Sequence, residues 1–365
     1  MNAAAARPAA DIIVETSLGR VRDLVALADA VIGPNADTSA GAYYEWLYGG
    51  NPEGPAIQAS AYQDGRMVAH YAVVPLRWCG PDGARLVGLG VNALTRNEAQ
   101  GRGLFARLVA RADAAAAERG IAATYVMPGP ASEPWFSTVL RYRSCGELAL
   151  VVRPARVRRL GSQLTGRLGA MRPLLPLTEL AVRLLASIWR ARSGRRETEL
   201  RDVTVFDDEF DALWTRASAG WTLGVVRDCT FFRWRYSTPT RTYRTMGAWC
   251  DGRLAAAVVY RAKETRHLAG GAFGSIVDVL AESTVAGRRA AALLVAEAVA
   301  RMTADGADVT VCQMRQESAA VRALRRNGFV RVPGRHAGFR PVLVRGLNCG
   351  PSASGHLTGA DYDMG

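Results

Sequence analysis

The chain has 365 residues, 49% of them hydrophobic, which suits two domains of ordinary size with sizeable cores. It contains no run of about 18 apolar residues, and its first residues lack a long apolar stretch after Arg7, so neither a spanning helix nor a leader is expected. Its formal net charge is +13, and its six cysteines and four histidines are scattered without zinc-ligand spacing, so a reduced, cytoplasmic, metal-free chain is the expectation.

In chain order, YYEWLY (Tyr43 to Tyr48) predicts an aromatic-rich helix. QDGRMVAHYAV, from Gln63, predicts a hairpin turning at an Asp-Gly pair. Ala84 to Thr95 (ARLVGLGVNALT) is apolar and glycine-spaced, as a buried strand is. Then comes the turn Gly101-Arg102-Gly103. Beyond it Leu104, Leu108, Ala112 and Ala115 recur at helical spacing up to a stop at Gly120. A strand, a glycine turn and a helix aim backbone N–H groups at an anion. A lone G-x-G also serves as a plain tight connection, and Ala106 rules out a G-x-G-x-x-G here. A further strand (RGIAATYVM, from Arg119), a short helix and a final strand pair complete the unit.

The order then repeats. FFRWRY (Phe231 to Tyr236) matches YYEWLY, and CDGRLAAAVVY (from Cys250) matches the hairpin. GRRAAALLV (from Gly287) matches GRGLFARLV, and DGADVTVCQM (from Asp305) matches the following strand. The offsets are 188, 187, 186 and 186. One α/β fold with a mixed sheet is therefore expected twice, at 1–155 and 202–347. Between them, 156–201 is arginine-rich. From Arg153 to Arg201 twelve arginines face three glutamates, a net of +9, so the basicity is concentrated in one segment. Leu177 to Arg190 is amphipathic. It reads as a helical linker packed on its own domains or, through 156–196, as a peripheral contact with an acidic membrane. Without interleaved aromatics or a nucleic-acid module, no nucleic acid is expected as a partner. The small, polar tail 348–365 is expected to be disordered.

This order, with the loop TRNEAQGRGLF, resembles the GNAT superfamily of acyl-CoA-dependent N-acyltransferases, and in particular a tandem, bacterial subgroup of it. Gln100, Gly101, Arg102, Gly103, Leu104 and Phe105 fill the family's phosphate loop, with Phe105 where a small residue is usual. The subgroup's Thr-His-Pro ahead of the loop appears as Thr95-Arg96-Asn97, and its Pro-Asn-x-x-Ser as Pro128-Gly129-Pro130-Ala131-Ser132. The resemblance implies a cytoplasmic transferase. Its loop would hold the pyrophosphate of acetyl-CoA or another acyl-CoA, and its acceptor would be the primary amine of a small metabolite, an amino sugar or a cell-surface precursor. Leu94 and Thr95 would lie beside the thioester, one backbone N–H acting as an oxyanion hole. Ser132 would touch the pantetheine arm or cap the helix after it. In the second copy Arg289 stands where Gly103 does, so only the first copy is expected to bind acyl-CoA.

The proton-transfer groups are weakly marked. The family's tyrosine position is Ser137, and the usual Gly-Phe pair is Arg141-Tyr142, with Tyr142 expected in the core. Tyr125 is the substitute acid; His70 and Asp278 are the candidate bases, and Asn92 lies near the usual place but cannot take a proton. Two other readings compete: a Fem-like aminoacyltransferase using aminoacyl-tRNA, and a non-catalytic acyl-CoA-binding scaffold. Because a duplicated fold can satisfy its own pairing, a monomer is expected.

Overall fold

The computed structural model describes residues 10–18, 20–80, 83–121, 123–155, 198–264, 272–316, 318, 320–332, 340–347 and 353–362. The first half runs β1 (Asp11–Glu15), α1 (Val21–Ile32), α2 (Gly41–Tyr44, continued by a π turn over Glu45–Gly49), β2 (Ile57–Gln63), β3 (Arg66–Gly80), β4 (Gly83–Thr95), α3 (Leu104–Glu118), β5 (Thr124–Val126), a second π turn over Trp135–Val139, and β6 (Arg143–Pro154). The second half runs β7 (Thr198–Val203), α4 (Asp208–Ala217), α5 (Cys229–Arg235), β8 (Arg244–Cys250), β9 (Arg253–Glu264), β10 (Phe273–Ala281), α6 (Val285–Ala304), β11 (Val309–Arg315), α7 (Val321–Arg326), β12 (Val330–Arg331) and β13 (Arg340–Arg345). Residues 156–197, which hold most of the arginine-rich segment and its amphipathic run, lie outside the described residues.

Both expected hairpins form. Asp64-Gly65 and Asp251-Gly252 take positive φ at both positions (53° and 72°; 52° and 74°). Asp and Gly tolerate this left-handed geometry, and it gives the turn a twist that matches its strands. The two halves do not stop at separate sheets, however. The strand order is β1-β2-β3-β4-β5-β13-β6-β11-β10-β9-β8-β7, with β12 also on β6. The last strands are exchanged. β13 of the second half lies between β5 and β6, pairing Leu343 with Val126 and Arg340 with Leu148. β6 of the first half pairs with β11, Cys312 opposite Val151. A boundary at 155 therefore cuts through a shared sheet and does not separate two closed units.

Side chains alternate across the strands. Tyr71 and Val73 face a core under α3, while Ala72, Val74, Leu76 and Trp78 face the opposite side. There the aromatic helices of both halves merge into one cluster, Tyr43, Tyr44 and Tyr48 with Phe210, Phe231 and Phe232. Against it the partly buried Trp46 stacks on Trp234 with ring centroids 5.4 Å apart. Each indole donates to the other's carbonyl, Trp46 Nε1 to Trp234 O at 2.8 Å and Trp234 Nε1 to Trp46 O at 3.2 Å. These are the equivalent tryptophans of the repeat, 188 residues apart.

The expectation of a disordered tail is corrected. His356 to Tyr362 are buried. Leu357 O accepts from Arg315 N at 2.9 Å, Ala360 O from Arg235 Nε at 2.8 Å, and Asp361 Oδ2 from Arg227 Nη2 at 2.6 Å. A polar segment can be buried when buried arginines satisfy its carbonyls and carboxylate, and that pairing is invisible in composition. Cys145, on β6, is disulfide-bonded, which corrects the expectation of an all-reduced chain. Among the described residues no helix is long and apolar enough to cross a membrane.

The exchanged strands predict a single cooperative unfolding event. In urea, tryptophan fluorescence and far-UV circular dichroism should give coincident transitions, and Trp234→Ala should lower the stability of that one transition by about 3–5 kcal/mol. Two resolved transitions would mean that the halves are independent.

Candidate functional site

The ladder between β4 and β5 is short. It pairs Gly88 with Thr124 and Leu89 with Tyr125 and then ends. Beyond Leu89 the two parallel strands diverge, because β4 is bent by a bulge. Between His70↔Leu94 and Ala72↔Val91 the register with β3 slips by one residue. Asn92 sits there at φ 50°, a left-handed conformation that Asn tolerates better than most residues. Gly90 is required on the straight part: a Cβ there would stand 2.1 Å from the Tyr71 hydroxyl.

The divergence opens two adjoining cavities that share Ala93 and Ser132. One, of about 310 Å³, surrounds the bulge and is lined by Asn92 and Leu94, by Met127 to Gly129 and by Arg340 and Tyr362 of the second half. The other, of about 340 Å³, is lined by Thr95, by Gln100, Gly101, Gly103, Leu104 and Phe105, and by Trp135. Among the described lining residues there is no carboxylate and no imidazole.

The loop is held at both ends. Buried Arg96 donates through Nε to Met67 O at 3.0 Å and through Nη2 to Ala26 O at 3.2 Å. Gln100 Nε2 donates to Thr95 O at 3.2 Å. Gly101 and Gly103 take φ 76° and 66°, and Gly103 is the N-cap of α3. The unfilled N–H groups of the first helical turn thus face the second cavity with the positive end of the helix dipole behind them. Phe105 fills the gap left where a small residue was expected, packing edge-on against Tyr71 at 6.0 Å and Phe136 at 5.5 Å between ring centroids.

Several sequence expectations fall away from the cleft. Arg102 does not line it: Nη1 donates to Gln63 Oε1 at 3.1 Å and Nη2 to Glu98 O at 2.8 Å. Tyr125 is fully buried against Trp78, its hydroxyl donating to Asp361 O at 2.8 Å. Burial also pushes its pKa well above the ordinary value, so it is no accessible acid. Asp278 lies in the second half, where its Oδ2 pairs with Arg227 Nε at 2.7 Å and its Oδ1 with His356 Nε2 at 3.0 Å. Burial alone would raise its pKa, but Arg227 and His356 outweigh that and hold the carboxyl down. Ser132 lines both cavities, and its Oγ donates to Gly129 O at 3.3 Å instead of capping the π turn. Tyr142 is in the core, its hydroxyl 2.7 Å from Thr124 Oγ1. The second half has no counterpart of the loop. There only three residues separate β10 from α6, Thr284 caps Gly287 N at 3.0 Å, and Gly287 to Ala290 are helical. The missing feature is therefore the whole loop, and Arg289 is not a blocking residue within one.

His70 is fully buried and does not reach the cleft, but it is linked to it. Asn92 Nδ2 donates to Tyr48 Oη at 2.7 Å, Tyr48 Oη lies 3.2 Å from His70 Nε2, and His70 Nδ1 lies 2.9 Å from Ser60 Oγ. Counting donors, Tyr48 gives its proton to Nε2 and Nδ1–H goes to Ser60. Burial lowers the His70 pKa to about 3, so the ring is neutral at working pH. Sequence reasoning missed this relay, and also Arg340 and Tyr362, which no local motif marks.

No protein-family model and no curated sequence matches the chain. Solved structures do. Saccharomyces cerevisiae N-myristoyltransferase with bound myristoyl-CoA superposes with a TM-score of 0.62 at 11% identity, over 93% of this chain and 84% of that one. A GCN5-related N-acetyltransferase from Anabaena variabilis ATCC 29413 gives 0.61 at 11% identity, over 93% and 73%. One from Kribbella flavida gives 0.60 at 14%, over 92% and 71%. The fold is that of the GNAT N-acyltransferases, in tandem. The parting of β4 from β5, the bulge and the glycine loop all lie in the first GNAT half, while β13 and the tail of the second half close the cleft from the other side. Among the described residues no three His, Cys, Asp or Glu side chains converge as a metal site requires.

Two outcomes follow. Asp278→Asn leaves the Arg227 charge half-paired in the interior, so it should cost about 3–5 kcal/mol in a denaturant titration; a D278N protein of full stability that had lost turnover would restore Asp278 as a base. Because the folded His70 pKa lies below the unfolded value of about 6.5, the unfolded chain binds more protons between them. Stability present above pH 6.5 is therefore lost as pH falls towards 3, at up to ~1.4 kcal/mol per pH unit from this group. His70→Gln should flatten that acid limb in melts taken across pH 4–7.

Proposed function

We propose that the protein transfers an acyl group from acyl-CoA to a primary amine at the cleft of the first half, acetyl-CoA being the first co-substrate to test. The observation that carries this is the continuity of the two cavities. A phosphate-binding loop at one end leads along the unpaired edge of β4 to the bulge at the other. Gly101, Gly103 and the first turn of α3, with Leu104 and Phe105, hold the pyrophosphate. Gln100 fastens the loop, and Ser132 lies where the two cavities meet, beside the pantetheine arm.

The acceptor nitrogen, entering as the neutral amine, attacks the thioester carbonyl. As the C–N bond forms, one backbone N–H at Leu94–Thr95, the one directed away from β3, stabilises the oxyanion. The C–S bond then breaks, and the departing thiolate takes up the proton that the amine gives up, directly or through water. Asn92, tied through its NH₂ to Tyr48 and so to His70, has its Oδ1 left to accept a hydrogen bond from the amine. It orients the nucleophile without removing its proton. The acceptor class expected is a small metabolite, an amino sugar or a cell-surface precursor.

The lack of a carboxylate or imidazole among the described lining residues favours a second reading, a scaffold that binds acyl-CoA without turnover. Calorimetric titration with acetyl-CoA, followed by thiol release over an amine panel, separates the two. The expected outcome is binding at about one site per chain, weakened about tenfold or more by Gly103→Val, since valine cannot hold φ 66° and the amides lose their aim at the phosphate. Binding with no turnover on any amine would favour the scaffold. Absence of binding to acetyl-CoA and to longer acyl-CoAs would remove both readings.

A further inference from the structure

We infer that Arg340 is a carboxylate-binding residue and that the acceptor amine carries a carboxylate, as an amino acid does; this rests on the acyl-transfer reading of the cleft. Arg340 belongs to β13, the strand that the second half inserts beside β5, and it enters the cavity around the bulge. It is the one charged side chain among the described residues lining either cavity. Its guanidinium lies 5.7 Å over the Tyr362 ring, and a Cβ at Gly129 would stand 3.4 Å from its Nη1. Its Nε is buried and has no hydrogen-bond partner among the described residues.

Other interior arginines show what it lacks. Arg227 meets Asp278 at 2.7 Å and Asp361 at 2.6 Å, and Arg241 meets Asp37 at 2.5 Å. No described carboxylate plays that part for Arg340. Tyr362 gives the guanidinium a ring face and a hydrogen bond, but its Nε donor stays unfilled and its charge has no carboxylate partner among the described residues, and a ligand anion supplies both. The planar fork suits a carboxylate held through two parallel N–H bonds.

The position fixes which part of the reacting pair supplies the anion. The pyrophosphate end is the loop cavity, which Arg340 does not line. Arg340 shares its cavity with Asn92 and Leu94, on the far side of Ala93 and Ser132 from the loop. An anion there is carried by what meets the thioester from the opposite side. With no acid among the described lining residues to hold an ammonium, the acceptor is anchored by its carboxylate, and its amine is free to enter uncharged.

The test uses the full chain saturated with CoA. It is titrated with N-acetylated amino acids and, pairwise, with the N-acetylated amines that lack the carboxylate, such as N-acetylphenylalanine against N-acetylphenethylamine. The acids should bind about tenfold tighter or better. Arg340→Gln should abolish that difference, Arg340→Lys should keep part of it, and 0.5 M salt should reduce it in the wild type. Equal binding of acids and amines, no binding of any acid, or a preference that persists in R340Q would overturn the inference. A parallel titration with succinyl-CoA and acetyl-CoA identifies the other source. If R340Q loses affinity for succinyl-CoA alone, the carboxylate belongs to the acyl group and the acceptor assignment fails. Titration of each variant with acetyl-CoA keeps the two levels apart: acetyl-CoA binding without a carboxylate preference sinks only this inference, while no acetyl-CoA binding by the wild type sinks the acyl-transfer reading beneath it.

Discussion

The structure depends on where β13 is inserted. A sheet edge has backbone donors and acceptors that must be paired or covered, and in each half the strand after the long helix, β5 or β11, has a neighbour from its own half on one side only. The chain solves this reciprocally. β13 completes the first half beside β5, and β6 completes the second beside β11. Because β5 is anchored on β13 over Thr124 to Val126, it need not follow β4 past Leu89. The parting of β4 from β5 is thus stabilised from the far side, by a strand encoded more than two hundred residues later.

The same exchange divides labour between two copies of one fold. The first half keeps the long connection from β4 to α3, with Gly101 and Gly103 in left-handed conformations and open space around both. The second half has replaced that connection by a three-residue link with a threonine cap, and helical hydrogen bonding consumes the amides that an anion would need. Its interior is given to a buried charge network instead. Arg227 is held by Asp278 and Asp361, His356 bridges Asp278 to Ser318, and through Asp361 the network fixes the tail. The tail in turn brings Tyr362 to the cleft. The second half thus reaches the cleft through what it inserts and holds in place.

The relay from Asn92 through Tyr48 to His70 and Ser60 shows why a polar residue in an apolar strand is an ambiguous signal. His70 was a reasonable base by residue type, and it does connect to the cleft. Burial keeps it neutral, however, and two hydrogen bonds occupy its ring, so its effect is to orient Tyr48 and, through it, Asn92. Tyr125 and Asp278 failed as candidates for a related reason. Each is fully buried and paired with a group far away in sequence, Asp361 in one case and Arg227 in the other.

The sequence by itself determined what local physics governs. Asp-Gly pairs specified both hairpins, helical spacing specified α3 up to its glycine stop, and the glycine turn marked the loop that lines one end of the cleft. The near-constant offset announced one fold used twice, and Trp46 and Trp234 meet as equivalent positions should. Only the tertiary structure decided which strand completes which sheet, that the small polar tail is buried, and that Arg340 stands beside the bulge with no carboxylate partner among the described residues. Those outcomes depend on backbone edges and charges finding partners across long stretches of chain. A hydrophobic period or a turn motif records the burial of a residue's own face, whereas the partner of an edge strand or a buried arginine leaves no local trace.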